Sequence, residues 1–257
     1  MTKLLDASAR LTLALAQVTA LIAVVLLFAA SRALAAPTTQ APKTQTAPVL
    51  EPEAVDALSK MSAYLRTLKS FEMRSDTVRE EVDSHDQKLQ FLGTTTYKAR
   101  APNGLVVDVA EDRRVRRFVY DGKTASLLAP RMGYYATVAA PPTIRELLDV
   151  MSKKYGVAFP LEDLFLWGTD GDHRADLKRG YLVGYARIAG QDADQYAFRG
   201  KGIDWQIWIA RGDKPLPLRL VIAGTTDPKL PQLEASLNWN TAPKFAADTF
   251  VSERRSA

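Results

Sequence analysis

Few residues in this chain have the types and spacing that chemistry requires. The two histidines, His85 and His173, lie in polar stretches, Val-Asp-Ser-His-Asp and Asp-Gly-Asp-His-Arg. Without a third ligand at useful spacing, two isolated imidazoles make a poor zinc site. The segment Asp170-Gly171-Asp172-His173-Arg174-Ala175-Asp176 carries three carboxylates and could hold calcium. It lacks the later bidentate Glu of an EF-hand loop and has Arg174 inside it, so it reads as a solvated loop. The absence of cysteine excludes disulfides, thiolate metal sites and a Cys nucleophile. No Gly-rich phosphate loop, nucleophile elbow or HExxH occurs. The expectation is a protein with no catalytic residue, metal or cofactor.

Two other groups of residues could instead recognise a ligand. In the basic run Arg113-Arg114-Val115-Arg116-Arg117, strand alternation puts Arg114 and Arg116 on the face of Phe118 and Tyr120, with Arg113 and Arg117 on the other. Charge divided in this way reads as a wet sheet face with cross-strand ion pairs. If Phe118 and Tyr120 point into a cavity, Arg114 and Arg116 ring its mouth and suit an amphiphile with an anionic head. Aromatic side chains recur at strand positions, among them Phe71, Phe118, Tyr120, Tyr134, Trp205 and Trp239. Most should fill a core. Trp208 differs, because its neighbours on its own face are Asp204 and Gln206. Such an indole is either packed under the C-terminal tail, where Phe245 and Phe250 need cover, or part of a contact surface.

These residues need elements to hold them. From Pro52 to Leu68 the apolar residues Val55, Leu58, Met61, Leu65 and Leu68 recur every three or four positions, the stripe of an amphipathic helix. After Phe71 the period falls to two, and eleven strands are expected between Phe71 and Trp239. Turn signals at Asn103-Gly104, Asp121-Gly122, Arg211-Gly212-Asp213 and elsewhere separate them. Such short connections imply an antiparallel meander. In Ile203–Ile209 and Gln232–Trp239 apolar residues alternate with polar ones, so one face is dry and the other wet. Two central helices supply cover for the dry face. One is Thr143–Lys154, with Ile144, Leu147, Leu148 and Met151 inward and a Thr143/Glu146 capping box; the other is Leu161–Trp167. The element order is helix, six strands, two helices, five strands.

The chain's 257 residues, 47% apolar, can bury a real core. Ahead of that core, Lys3 and Arg10 precede an apolar run from Leu11 to Ala30, then Ala33-Leu34-Ala35 in the small-x-small form of a peptidase site. A signal peptide of residues 1–35, cleaved after Ala35, is expected. The alternative is an uncleaved anchor, since about 20 apolar residues can span a bilayer. Either way the bulk of the chain lies outside the cytoplasm and touches membrane only through that segment. Removing it takes three basic groups and one acid from a formal net charge of +5. The remainder is mildly basic, so nucleic acid is not an expected partner. Residues 36–52, with four prolines, read as an extended linker. Residues 53–245 form the domain, and 246–257 a C-terminal tail.

The stretch Phe118-Val-Tyr-Asp-Gly-Lys-Thr-Ala-Ser-Leu-Leu-Ala-Pro-Arg-Met-Gly-Tyr-Tyr135 has a strand ending in Asp-Gly-Lys, a second strand ending in Pro, and an aromatic strand leading to Pro141-Pro142-Thr143-Ile144. This resembles the LolA/LolB-like fold of periplasmic lipoprotein carriers. More closely, Pro52 to Pro243 is similar to an uncharacterised family of predicted periplasmic proteins assigned to the same superfamily. The resemblance implies an α+β fold: a curled antiparallel half-barrel of about eleven strands, covered on its concave face by the N-terminal and central helices. It also implies a cavity, and the inward candidates for it are Phe71, Phe118, Tyr120, Tyr134, Leu148, Met151, Trp205 and Trp239. No lipobox cysteine is present, a departure from the outer-membrane receptor LolB that makes the soluble carrier the nearer analogue. The implied function is non-enzymatic binding of a hydrophobic or amphipathic ligand, a lipid or lipidated polypeptide. The alternative is an envelope protein-interaction module with a filled core and a functional outer surface such as that around Trp208.

Overall fold

The computed structural model describes residues 50–162 and 176–252, all within the compact unit Ala47–Ala257. The chain order is α1 (Pro52–Thr67), β1 (Ser70–Val82), β2 (Lys88–Arg100), β3 (Gly104–Glu111), β4 (Val115–Tyr120), β5 (Thr124–Ala129) and β6 (Tyr134–Ala139). There follow α2 (Ile144–Tyr155), β7 (Arg179–Ile188), β8 (Gln191–Arg199), β9 (Ile203–Ala210), β10 (Pro217–Gly224) and β11 (Gln232–Asn240). The first part of the expected second central helix, Leu161–Glu162, is a turn; the rest of it, with His173 and most of the Asp170–Asp176 loop, lies outside the described residues.

All eleven strands form one antiparallel sheet in the order β6-β5-β4-β3-β2-β1-β11-β10-β9-β8-β7. Each hairpin pairs with its neighbour, as the short turns require. The chain then leaves β6 at one edge and re-enters as β7 at the other, and the two meanders join through β1 and β11. Met73 opposes Trp239 and Ser75 opposes Leu237 across that join. A single continuous meander would have placed β6 beside β7. Here those two strands are the edges of an open sheet.

Each helix is placed by its ends and its stripe. Pro52 begins α1, where a missing N–H costs nothing. Its buried side chains are Ala54, Leu58, Met61 and Ser62, with Val55 only half-buried, so the stripe is rotated slightly from the expected one. Ser62 Oγ donates to the Leu58 carbonyl at 2.6 Å, which satisfies the one polar group on that stripe. For α2 the capping box forms as expected: the Glu146 N–H donates to Thr143 Oγ1 at 3.2 Å, and the hydroxyl donates to the Glu146 carboxylate at 2.9 Å. Gly156, at φ +63°, closes the helix in the left-handed conformation.

The buried apolar residues of both helices belong to one cluster with Met73, Tyr97, Leu105, Val107, Phe118, Tyr120, Ile207 and Leu237 from one face of the sheet. That face is called inner below. On the outer face ion pairs join neighbouring strands, as in Arg117 to Asp108 at 3.3 Å and Arg219 to Glu234 at 2.7 Å. The chain beyond Pro243 packs on the outer face. Phe250 is 2% exposed and packs with Phe245 against Val106 and Val119, beneath the Arg100 guanidinium at 4.5 Å. Upstream, the linker is already engaged at Glu51, whose N–H donates to the Gly180 carbonyl at 2.8 Å.

Candidate functional site

The inner face is filled along only part of its length. Beyond Tyr97 and Phe118, the strands β1 to β4 continue into a cavity of about 500 Å³. Its walls are apolar, from Val107, Val109, Phe118 and Leu127 on the sheet to Phe159 and Leu161 on the segment following α2. That segment is pinned from below. The Tyr97 hydroxyl donates to the Pro160 carbonyl, and the Phe159 ring meets Phe118 edge-on with centroids 4.8 Å apart. Burial, reinforced by the Glu162 carboxylate, holds the Tyr97 phenol well above its ordinary pKa, so it remains a donor. On the floor, Thr77 and Glu111 close over Gly93 and leave no room for a side chain there. At Gly93 a Cβ would lie 2.9 Å from Thr77 Oγ1 and 3.0 Å from Glu111 Cγ.

The rim is basic: Arg79, Arg113, Arg114 and Arg116 all line the cavity, together with Glu111 and Asp112. The expectation that Arg113 faces away does not hold, and the cause is local. Glu111 and Arg114 exchange backbone hydrogen bonds at 2.7 and 3.2 Å, so Asp112 and Arg113 form a tight turn and strand alternation resumes only at Val115. Released from the alternation, the Arg113 guanidinium lies 3.8 Å from the centroid of the Phe91 ring and reaches Glu81 at 3.2 Å. Arg79 also pairs with Glu81, and Arg114 pairs with Glu111 at 2.7 Å. Among the described residues Arg116 has no ion-pair partner, although it shares this rim.

Of the inward aromatic and helix candidates, Phe118 alone lines this cavity. Phe71, Tyr120, Leu148, Met151 and Trp239 pack in or against the core at its filled end. Tyr120 donates to the Pro141 carbonyl at 2.5 Å and Trp239 Nε1 to the Pro217 carbonyl at 2.7 Å, so both polar tips serve structure. Trp205 stacks on Phe198 with centroids 4.3 Å apart, at a separate small cleft. Tyr134 has the right strand parity but is 55% exposed, because β6 is an edge strand with no neighbour to cover it. Arg114 and Arg116 do stand at the cavity. Trp208 is half-buried beside Ala193, Leu216 and Leu218, under Arg219 at 5.2 Å, whereas the tail aromatics lie on β3 and β4. Among the described residues, therefore, the tail aromatics do not cover it. Sequence reading missed Phe91, Val109, Leu127 and Phe159. The signal available was Gly93 and Thr95, alternate positions of one long strand that are too small to fill its inner face.

The arrangement offers shape and charge rather than a reacting group. His85 is in the exposed β1–β2 turn, with its Nδ1 3.5 Å from Asp83. Among the described residues no three His, Asp or Glu side chains gather as metal ligands.

Residues 54–254 match the family described as "Predicted periplasmic protein (DUF2092)". The chain belongs to that family. No curated protein matches it. Among solved structures it is similar to LprF from Mycobacterium bovis, with 15% identity over 79% of this chain and 99% of that one, at a TM-score of 0.47. The Pseudomonas aeruginosa MucA/MucB complex gives 17% identity and a TM-score of 0.42, over 78% of this chain; this chain spans 61% of the matched one. The LolA superfamily protein NE2245 from Nitrosomonas europaea gives 10% identity and 0.38, over 78% and 98%. At such distances similarity does not transfer function.

Proposed function

We propose that this protein is a non-enzymatic periplasmic binder of a hydrophobic or amphipathic molecule, a lipid or the lipidated part of a polypeptide. In this reading the sheet is a half-barrel whose concave face α1 and α2 cover in part, and export involves cleavage after Ala35. The observation that carries the reading is the cavity of about 500 Å³ on the inner face, apolar in its walls and charged only at its rim. That volume falls within the roughly 300–1,000 Å³ of small-molecule sites. An apolar chain entering it removes about 25 cal/mol of unfavourable hydration per Å² buried.

Titration with an environment-sensitive fluorescent fatty acid tests this. Binding with micromolar or better affinity is expected, with a rise in melting temperature by ligand linkage. Val109→Trp should weaken it by at least about tenfold while the circular dichroism spectrum stays unchanged. Val109 suits this purpose better than Leu148, since Leu148 is in the packed core and a Trp there would strain the fold without reaching the cavity. Failure of the unaltered protein to bind any acyl-chain probe would overturn the proposal.

A further inference from the structure

We infer that the ligand carries an anionic head, a carboxylate or phosphate, and that Arg116 is the residue that receives it. This rests on the cavity-binding reading above and adds the chemical class of the ligand.

Charge at the rim supports the inference. Arg79 and Arg113 share one carboxylate, Glu81, and Arg114 occupies Glu111 through both Nε, at 2.8 Å, and Nη2, at 2.7 Å. Asp112, the remaining acid of the rim, accepts the Leu92 N–H at 2.7 Å through Oδ2. Its backbone carbonyl accepts from Arg131, also at 2.7 Å. Of the four guanidiniums that line the cavity, three are paired with Glu81 or Glu111, and Arg116 alone has no ion-pair partner among the described residues.

Geometry supports it as well. Arg116 opposes Val109 across β3 and β4, and Phe118, two residues on, points the same way into the cavity. A head held by Arg116 would therefore leave its chain over Val109, Phe118 and Leu127. The guanidinium offers a fork of donors that matches a carboxylate or phosphate, at the edge of an apolar wall that would take the chain. The other rim arginines are fixed, by their partners or by the Phe91 ring, and so define the opening without competing for the head.

Calorimetric titration with decanoate, decyl phosphate and decanol separates the possibilities, using protein expressed from the full chain. Both anionic amphiphiles should bind at least about tenfold more tightly than decanol. Arg116→Gln should bring them down to the decanol level with decanol itself unaffected, and Arg116→Lys should restore part of the preference. Because Arg116 is exposed, these variants should fold, which an unchanged melting temperature checks. Stronger binding of decanoate would identify a fatty acid as the source of the head; stronger binding of decyl phosphate, a phosphate-headed lipid. Equal affinity for all three overturns the anionic-head inference and leaves the cavity reading intact. An anionic preference that survives Arg116→Gln removes Arg116 from the role. Binding of none of the three would overturn the cavity reading itself.

Discussion

The two ends of the inner face are made by the same strands and have opposite characters. At one end Met73, Tyr97, Leu105 and Tyr120 are packed into a core with Leu58, Met61, Leu147 and Met151. A few residues further along the same strands, Thr77, Gly93, Val109 and Arg116 face the cavity. Alternation alone treats both ends alike. The difference lies in reach: α2, of 12 residues, extends about 18 Å and α1, of 16, about 24 Å, whereas β1 and β2, of 13 residues each, extend about 43 Å. Neither helix is long enough to cover a full strand, and the chain places small or charged side chains where cover ends.

The sharpest way to break this comparison is to truncate both ends. Leu147→Ala should cost about 2–5 kcal/mol in urea denaturation, and Val109→Ala under about 1 kcal/mol, since a side chain facing a cavity loses fewer contacts. Equal losses would mean that the open end is packed in solution. Next in size is the turn at the packed end. Gly122 has φ +91°, and a Cβ there would lie 2.8 Å from Asn103, so Gly122→Ala should cost about 1–3 kcal/mol by the same measurement.

Thr143→Ala removes the cap that starts α2 and should cost about 1 kcal/mol. Because α2 leads directly into the cavity wall at Gly156–Leu161, fluorescent fatty acid affinity should fall with it. A loss of stability with unchanged binding would show that the Tyr97 anchor holds the wall by itself. The smallest effect concerns acid. Hydrogen bonds from Arg74 and Arg199 hold the carboxyls of Asp76 and Asp204 below the ordinary value of 3.8. Their contribution is complete above the unfolded-state pKa and is lost as pH falls through the lower folded value. Melting temperature should therefore drop between about pH 5 and pH 2, and Asp204→Asn should flatten part of that drop.

Much of the framework was legible because it depends on neighbours in sequence. Eleven strands form, as the period of two required, and the Thr143 cap forms as its spacing required. Arg116 lines the cavity two residues before Phe118 in β4, as parity placed it, whereas Arg114 precedes β4 and reaches the cavity from the turn that Glu111 closes. Arg113 escaped because a tight turn suspends parity, and Tyr134 because parity says which face a residue points to and nothing about whether that face is covered.

The sequence by itself determined most of the elements and their faces, since periodicity, turn residues and caps act over a few residues. Tertiary structure alone decided the pairing of β1 with β11, the exposure of β6 as an edge, and the end of the inner face at which the cavity opens. Those depend on contacts between residues more than a hundred positions apart, as Met73 is from Trp239, and on how far two helices reach across a sheet. No local pattern records either quantity.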